Sequence, residues 1–406
     1  MDKFEDLVQG KKVLVFGLGR QGGGTGDVDW LKMHKATVRV SDSDLSLVPE
    51  GQTKEQIDWA DLIIKNPGVS DEHELMVYAR SLGKQVLTSI AVFVKYASVT
   101  TIGVTGTRGK STTVALIKSV LEKAFPGQII AGGNIPGTSG LALLDQQLGK
   151  KFAVLELSSF QLHNFHDLKV SPNYALLTNI YPDHLNRYKD MESYAYDKSA
   201  IHLYQRPGDF YLEYPDPQTV VDWETILPGL HNKANIAGVW GIAKQLGISE
   251  ELCRQVVKDF RGVPYRLETI SEVNGVTYIN DTTSTTPVAA TVALQSLTKP
   301  TTWITGGDTK NLPYDQLLSE IKNNKYLRQV IILGSQNIPD YVERLKQIMG
   351  DKVIGQVDSM ESAMDLAVKS AKAGEVVLLS PGFSSFDLFK NEFDRGDQFN
   401  QLVNAV

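Results

Sequence analysis

The sequence predicts an α/β protein of three domains, each carrying a mostly parallel sheet, on three observations. Short β-branched runs alternate with helical patterns along the whole chain. The first run feeds a glycine-rich turn, Gly17-Leu-Gly-Arg-Gln-Gly-Gly-Gly24. A later one feeds Gly103-Val-Thr-Gly-Thr-Arg-Gly-Lys-Ser-Thr112, which reads as a phosphate-binding loop opening a helix. A chain of 406 residues also exceeds what one core usually supports. The expected boundaries are 1–97, 98–262 and 263–406.

In the first domain, strands are expected at Lys12-Val-Leu-Val-Phe16, Thr37-Val-Arg-Val40, Asp61-Leu-Ile-Ile64 and Gln85-Val-Leu87. With the glycine turn, these make half of a dinucleotide-type fold. The run Gly22-Gly-Gly-Thr-Gly26 predicts a longer loop before the next helix, because each helical Gly costs about 1 kcal/mol relative to Ala. The second domain takes strands at Thr100–Val104, Phe152–Leu155 and Tyr174–Leu177, then helices at about 231–247 and 249–260. The Pro-rich, acidic stretch Arg206–Trp223 reads as a connecting segment with one strand-like piece, Asp209–Tyr214. The third domain opens on a hairpin closed by Asn274-Gly275, a type I′ turn signal. Strands at Thr302–Thr305, Val330–Leu333 and Val376–Leu379 follow.

Composition sets the class. With 42% hydrophobic and 22% charged residues and a net charge of −6, nothing marks a surface for nucleic acid or acidic membranes. No apolar run of membrane-spanning length occurs, and Met1-Asp2-Lys3-Phe4-Glu5 lacks a signal-peptide layout, so a cytoplasmic protein is expected. The one cysteine, Cys253, lies in a helical pattern as a small buried hydrophobe.

The phosphate loop carries the first chemistry. Its glycines let several N–H groups face one anion at the positive end of a helix. Lys110 adds a charge for the β and γ phosphates, and the Ser111 hydroxyl suits Mg²⁺. The spacing departs from the common pattern by one position, since Val104 stands six residues before Lys110. Glu156 closes an apolar strand, at the end where parallel sheets place ligands, and His184 follows another in Pro182-Asp-His-Leu-Asn186.

The loop resembles that of the Mur ligases and folylpolyglutamate synthases. The resemblance continues through Glu156-Leu-Ser-Ser-Phe-Gln-Leu162, Thr178-Asn-Ile-Tyr-Pro-Asp-His184-Leu-Asn-Arg-Tyr188, His231-Asn-Lys-Ala-Asn235, Tyr265-Arg266-Leu-Glu268 and Leu378-Leu-Ser-Pro381 to Phe389-Lys-Asn391. These landmarks run from about residue 12 to 400. The resemblance implies a Rossmann-like UDP-binding domain, a P-loop ATPase-like central domain and a Rossmann-like C-terminal domain. It also implies that ATP phosphorylates a carboxylate, which an amine then attacks. It is strongest to the members that add glutamate to UDP-N-acetylmuramoyl-L-alanine for peptidoglycan, with D-glutamate expected.

Site residues follow from the same resemblance. ATP would meet Gly106, Thr107, Gly109, Lys110, Ser111, Thr112, Asn232, Asn235, Arg266 and Asp281. Ser111, Glu156 and His184 would hold two Mg²⁺ ions, and Lys198 matches the family lysine that is carbamylated. Lys110, Glu156, His184 and Lys198 form the catalytic set. UDP would meet Gly17, Leu18, Gly19, Arg20, Asp42, Ser43, Asn66, Pro67, Gly68 and Asn134. For Gly17 to Gly22, backbone N–H groups are expected to face the diphosphate. Glutamate would meet Thr285, Lys310 and Ser385.

Two features depart from the family. Thr283 stands where a substrate-binding lysine is expected, and a buried cation of that kind contributes on the order of 2 kcal/mol. The link between Lys198 and His231 is short. An L-glutamate-adding ligase, a folate-type ligase and an inactive nucleotide-binding regulator are therefore the alternatives. The family is mostly monomeric, and the expected partners are small molecules.

Overall fold

The computed structural model describes residues 3–19, 22–135, 137–183, 187–227, 229–308, 312–386 and 388–406. The chain divides into two compact units, Met1–Phe260 and Arg261–Val406. No described helix is long and apolar enough to cross a membrane.

The first unit holds two sheets. One is built from β1 (Lys12–Phe16), β2 (Thr37–Ser41), β3 (Leu62–Lys65) and β4 (Gln85–Leu87) in the order β2-β1-β3-β4, all parallel. The other takes β5 (Thr100–Thr105), β6 (Ile129–Gly133), β7 (Phe152–Glu156), β8 (Tyr174–Leu177) and β9 (Phe210–Glu213) in the order β6-β7-β5-β8-β9, again parallel. In each sheet the chain reverses direction of travel about a central strand, β1 or β5, which opens a crevice at its carboxyl end. Both glycine loops sit at those two ends.

Strand alternation explains the packing. In β1, Val13 and Val15 point to one face, and Leu14 and Phe16 to the other. The first pair joins a core that continues through Trp30, Phe93, Leu141, Leu155 and Phe165, so one apolar layer serves both sheets. The second pair packs on Ile57, Ile63 and Met76. The remaining face of the second sheet buries Ile102, Val104 and Leu176 against the helices Lys110–Ala124, Leu230–Gln245 and Glu250–Asp259. Cys253 lies in that layer, where burial pushes its thiol up to about 11.

Two expectations are corrected here. No long loop precedes the first glycine-rich helix, which starts at Gly23 directly after Gly22 in the left-handed conformation (φ 84°). A Cβ on Gly24 would lie 2.2 Å from the Leu18 carbonyl oxygen, and one on Gly26 2.7 Å from Ser139 Cβ. Those glycines serve close backbone approach, which outweighs their poor helix propensity. The stretch 206–223 is not merely a connection either. Its Phe210–Glu213 piece pairs with β8 as the edge strand of the second sheet, and Gly241 has no Cβ where one would meet Leu212 at 2.4 Å.

The second unit is one sheet of β10 (Glu268–Val273), β11 (Val276–Asn280), β12 (Thr301–Gly306), β13 (Leu327–Leu333), β14 (Val353–Val357) and β15 (Val376–Gly382), in the order β10-β11-β15-β12-β13-β14. Only β10 and β11 run antiparallel. Asn274 and Gly275 both have positive φ (53° and 77°), as a type I′ hairpin requires.

Asp27 links the glycine helix to the second sheet. Its Oδ1 accepts from Ser139 Oγ (2.5 Å) and from the Leu141 N–H (3.2 Å). Complete burial raises its carboxyl from the usual range to about 6. The folded state therefore holds a proton that the unfolded chain releases near pH 4, and stability falls as pH rises between those values. Asp27→Asn keeps the acceptor and removes the charge. Its thermal midpoint should exceed wild type above about pH 6, with the gain vanishing below about pH 4; scanning calorimetry across that range checks this.

Candidate active site

The phosphate loop leaves β5 and enters the helix Lys110–Ala124 through Gly109, which is left-handed (φ 84°). A Cβ at Gly106 would lie 2.0 Å from Thr178 Oγ1, and one at Gly109 2.3 Å from Asn235 Oδ1, so neither position has room for a side chain. The loop is tied down from behind. The Thr107 N–H donates to the Asn179 carbonyl (2.9 Å), the Arg108 N–H to Asn179 Oδ1 (2.8 Å), and Thr178 Oγ1 to the Arg108 carbonyl (2.6 Å). The Thr107 hydroxyl is buried, accepting from the Tyr181 N–H (3.0 Å). In the first turn, the N–H groups of Lys110, Ser111 and Thr112 have no intrahelical acceptor by construction. Such a cluster of first-turn N–H groups suits an anion.

Two ammonium groups converge on one carbonyl beneath this loop. Lys110 Nζ donates to Gly106 O at 2.8 Å and Lys198 Nζ donates to the same oxygen at 3.2 Å. Lys198 is 2% exposed and lies over the Tyr194 ring. Burial, and secondly the Lys110 charge, lower its amine to about 7. Far from being a solvated helix lysine, it is largely a neutral amine above that pH.

Glu156 is the last residue of β7, paired in register with Val104, and is buried. Its Oε1 accepts from Asn134 Nδ2 (3.1 Å), and its backbone carbonyl from the Asn134 N–H (2.7 Å). Asn134 in turn lines a cavity of about 400 Å³, together with Gly17, Leu18, Gly19, Asn66, Pro67 and Gly68. The structure thus gathers seven of the expected UDP contacts around one space and joins that space to Glu156. Asp42 and the exposed Ser43 do not line it.

The expected use of the glycine-loop N–H groups is corrected at two positions. The Gly17 N–H donates to the Ser41 carbonyl (2.8 Å), and the Gly19 N–H to Asp42 Oδ2 (2.8 Å). Asp42 also accepts from the Asp44 N–H (2.8 Å), so it closes the loop. In the first turn of the helix that follows, the N–H groups of Gly23 and Gly24 have no intrahelical acceptor.

In the second compact unit, Asp281 is buried, accepting from Ser284 Oγ (2.5 Å), Ser380 Oγ (2.7 Å) and the Leu267 N–H (3.0 Å). Burial raises it to about 6. Arg266 is exposed. Thr283 donates its hydroxyl to the Tyr265 carbonyl (2.8 Å) and supplies no cation. Ser385 Oγ is buried and meets no hydrogen-bond partner among the described residues. The guanidinium of Arg395, 1% exposed, donates to the Thr282 carbonyl (3.0 Å) and the Phe383 carbonyl (3.3 Å), fixing the two loops that carry Thr285 and Ser385.

Arg20, His184 and Lys310 lie outside the described residues. Asn232 and Asn235 stand on the helix behind Gly109, with Asn235 Nδ2 donating to Asn232 Oδ1 (3.3 Å). Sequence reasoning missed Asn179 and Arg395, whose roles are bonds to backbone across large sequence separations. Asn179 sits inside a quoted motif, which was the available signal.

The profile of the Mur ligase middle domain matches residues 104–218, and that of the Mur ligase glutamate ligase domain residues 265–383. The UDP-N-acetylmuramoylalanine--D-glutamate ligase of Roseiflexus sp. (strain RS-1) is 32% identical, over 98% of this chain and 99% of its own. The enzyme of the same name from Christiangramia forsetii is 31% identical, over 97% and 99%. The first alignment spans 465 positions, so a chain of 406 residues carries internal gaps relative to it. Among solved structures, the UDP-N-acetylmuramate-alanine ligase of Thermotoga maritima shares the fold (TM-score 0.58, 16% identity, 97% of this chain and 99% of that one). So does the MurF ligase of Thermotoga maritima in complex with ADP (TM-score 0.55, 17% identity, 99% and 97%). The chain belongs to the Mur ligase family of ATP-dependent amide-bond-forming ligases.

Proposed function

We propose that this ligase joins D-glutamate to UDP-N-acetylmuramoyl-L-alanine, in the cytoplasm and as a monomer. The domains would be 1–97 for the UDP portion, 98–262 for ATP and 263–406 for glutamate. Full-length similarity to relatives bearing that enzyme's name supports the substrate. The observation that carries the reading is Asn134, which lines the cavity and donates to Glu156 beside the phosphate loop.

The chemistry runs in two balanced steps. An oxygen of the alanyl carboxylate attacks the γ-phosphorus of ATP, and the bond to ADP breaks, giving an acyl phosphate. The amine of glutamate then attacks the acyl carbon; phosphate leaves with the bonding pair and the amine loses a proton. Lys110 and the first-turn N–H groups hold the phosphate oxygens and offset charge as the two anions meet. The Ser111 hydroxyl and Glu156 carboxylate offer oxygen donors suited to Mg²⁺, and resemblance adds the His184 imidazole. When bound, the ions supply further charge neutralisation.

Lys198 acts through its depressed basicity. Its neutral amine adds CO₂ and loses a proton, giving a carbamate, which places an anion where a neutral amine stood. Lys198→Ala should lower kcat by at least about a hundredfold, with acetate or formate restoring part of it. At limiting bicarbonate, wild-type activity should drop as pH falls through about 7, because the protonated amine cannot take up CO₂. Full activity of Lys198→Ala, or a flat pH profile, removes Lys198 from the chemistry.

An amino-acid panel tests the substrate. ADP and phosphate should form only with UDP-N-acetylmuramoyl-L-alanine, D-glutamate and Mg²⁺ all present. Turnover with L-glutamate instead would assign the other enantiomer, a reading that the missing cation at Thr283 keeps in play. Turnover with folate and glutamate would assign the folate-type reaction. Ser385→Ala should raise KM for the amino acid by roughly five- to tenfold, with KM for ATP unchanged.

A further inference from the structure

A charged cluster joins the two sheets of the first unit away from the phosphate loop. His163 ends the helix Ser159–His163; Asp197 lies on the helix Met191–Ser199 directly before Lys198. His163 Nδ1 is 2.9 Å from Asp197 Oδ1, and His163 Nε2 is 2.6 Å from Asp71 Oδ2. Asp71 follows the Asn66-Pro67-Gly68 turn at the end of β3, and its other oxygen pairs with Lys65 Nζ (2.9 Å) and Arg80 Nη2 (3.0 Å). Lys65, 2% exposed, also donates to the Val69 carbonyl (2.9 Å), closing the turn on itself. Arg187 Nη1 donates to the Gly68 carbonyl (2.7 Å).

A ring with a carboxylate at each nitrogen satisfies both only as the imidazolium, with each N–H donating. The two carboxylates accordingly raise His163 to about 9. The groups facing it are Asp71, Asp197 and His166, with Lys65 and Arg80 acting through Asp71. The cluster borders a cavity of about 610 Å³ that shares Lys65, Pro67 and Phe160 with the one described above.

We infer that His163 is a positioning residue: its bridge between Asp71 and Asp197 sets the Asn66–Gly68 turn, and hence the UDP-linked substrate, in register with the helix that carries Lys198. Among the described residues neither carboxylate bonds directly to the other element, and the bond to Asp197 acts one residue from the buried lysine. This inference rests on the reading of the cavity as the UDP-substrate site.

The test is His163→Gln, which keeps size and one polar contact but cannot bridge both carboxylates, together with His163→Gly assayed with and without imidazole. The side chain is 46% exposed, so free imidazole can enter. His163→Gln should raise KM for the UDP-linked substrate about tenfold and lower kcat severalfold. KM for ATP should stay within about twofold, and imidazole should return a large part of the activity of His163→Gly. Both KM values and kcat within about twofold of wild type overturn the inference. So does a loss that merely tracks the folded fraction, with no change in KM and no rescue by imidazole. If wild type does not turn over the UDP-linked substrate, the functional reading fails instead. Hydrogen exchange of His163→Gln then decides the inference: joint loss of protection at 66–71 and 191–199 supports it, and unchanged protection overturns it.

Discussion

The Gly106 carbonyl, shared by the ammonium groups of Lys110 and Lys198, is the contact on which the rest of the site depends. Two cations around one acceptor, one of them almost fully buried, repel each other and lose hydration. The protein lowers that cost by depressing the Lys198 amine and by facing the loop with N–H donors toward an incoming anion. The loop is thus electrostatically biased toward an anion. The missing Cβ at Gly106 is what permits this convergence, since Thr178 stands 2.0 Å from where it would be.

The second constraint is the apolar layer shared by the two sheets of the first unit. Val13 and Val15 of one sheet, and Ala153 and Leu155 of the other, belong to a single core. That continuity holds the glycine helix against the 137–140 segment, where Gly23 and Gly26 leave no room for side chains. The cavity bounded by Gly17, Asn66 and Asn134 exists because these backbones are brought so close. Polar ties such as Asp27 to Ser139, and His163 to Asp71, are laid across the same joint. The shape of the cavity and the stability of the fold are therefore coupled through one set of contacts.

The strands were legible because their apolar alternation is local, and the hairpin at Asn274-Gly275 because its turn chemistry demands positive φ. The strand-like character of Asp209–Tyr214 was legible, but its place as the edge of the second sheet was not, because that comes from pairing with β8 and from Leu212 packing on Gly241. The glycine run at 22–26 misled for an instructive reason. Helix propensity is a property of the segment, whereas the need for glycine there comes from Leu18, Thr138 and Ser139, two of which lie more than a hundred residues away.

By itself the sequence determined the three-sheet α/β architecture, the phosphate loop, and the candidacy of Lys110 and Glu156, because these follow from local pattern and motif spacing; Lys198 entered only through resemblance to the family. Only the tertiary structure decided how those groups behave. It buried Lys198 beside Lys110 and made its amine weakly basic, spent the Gly17 and Gly19 N–H groups on Ser41 and Asp42, and set His163 between two carboxylates. Basicity, donor availability and charge pairing depend on neighbours brought from distant parts of the chain, and no window of sequence contains them.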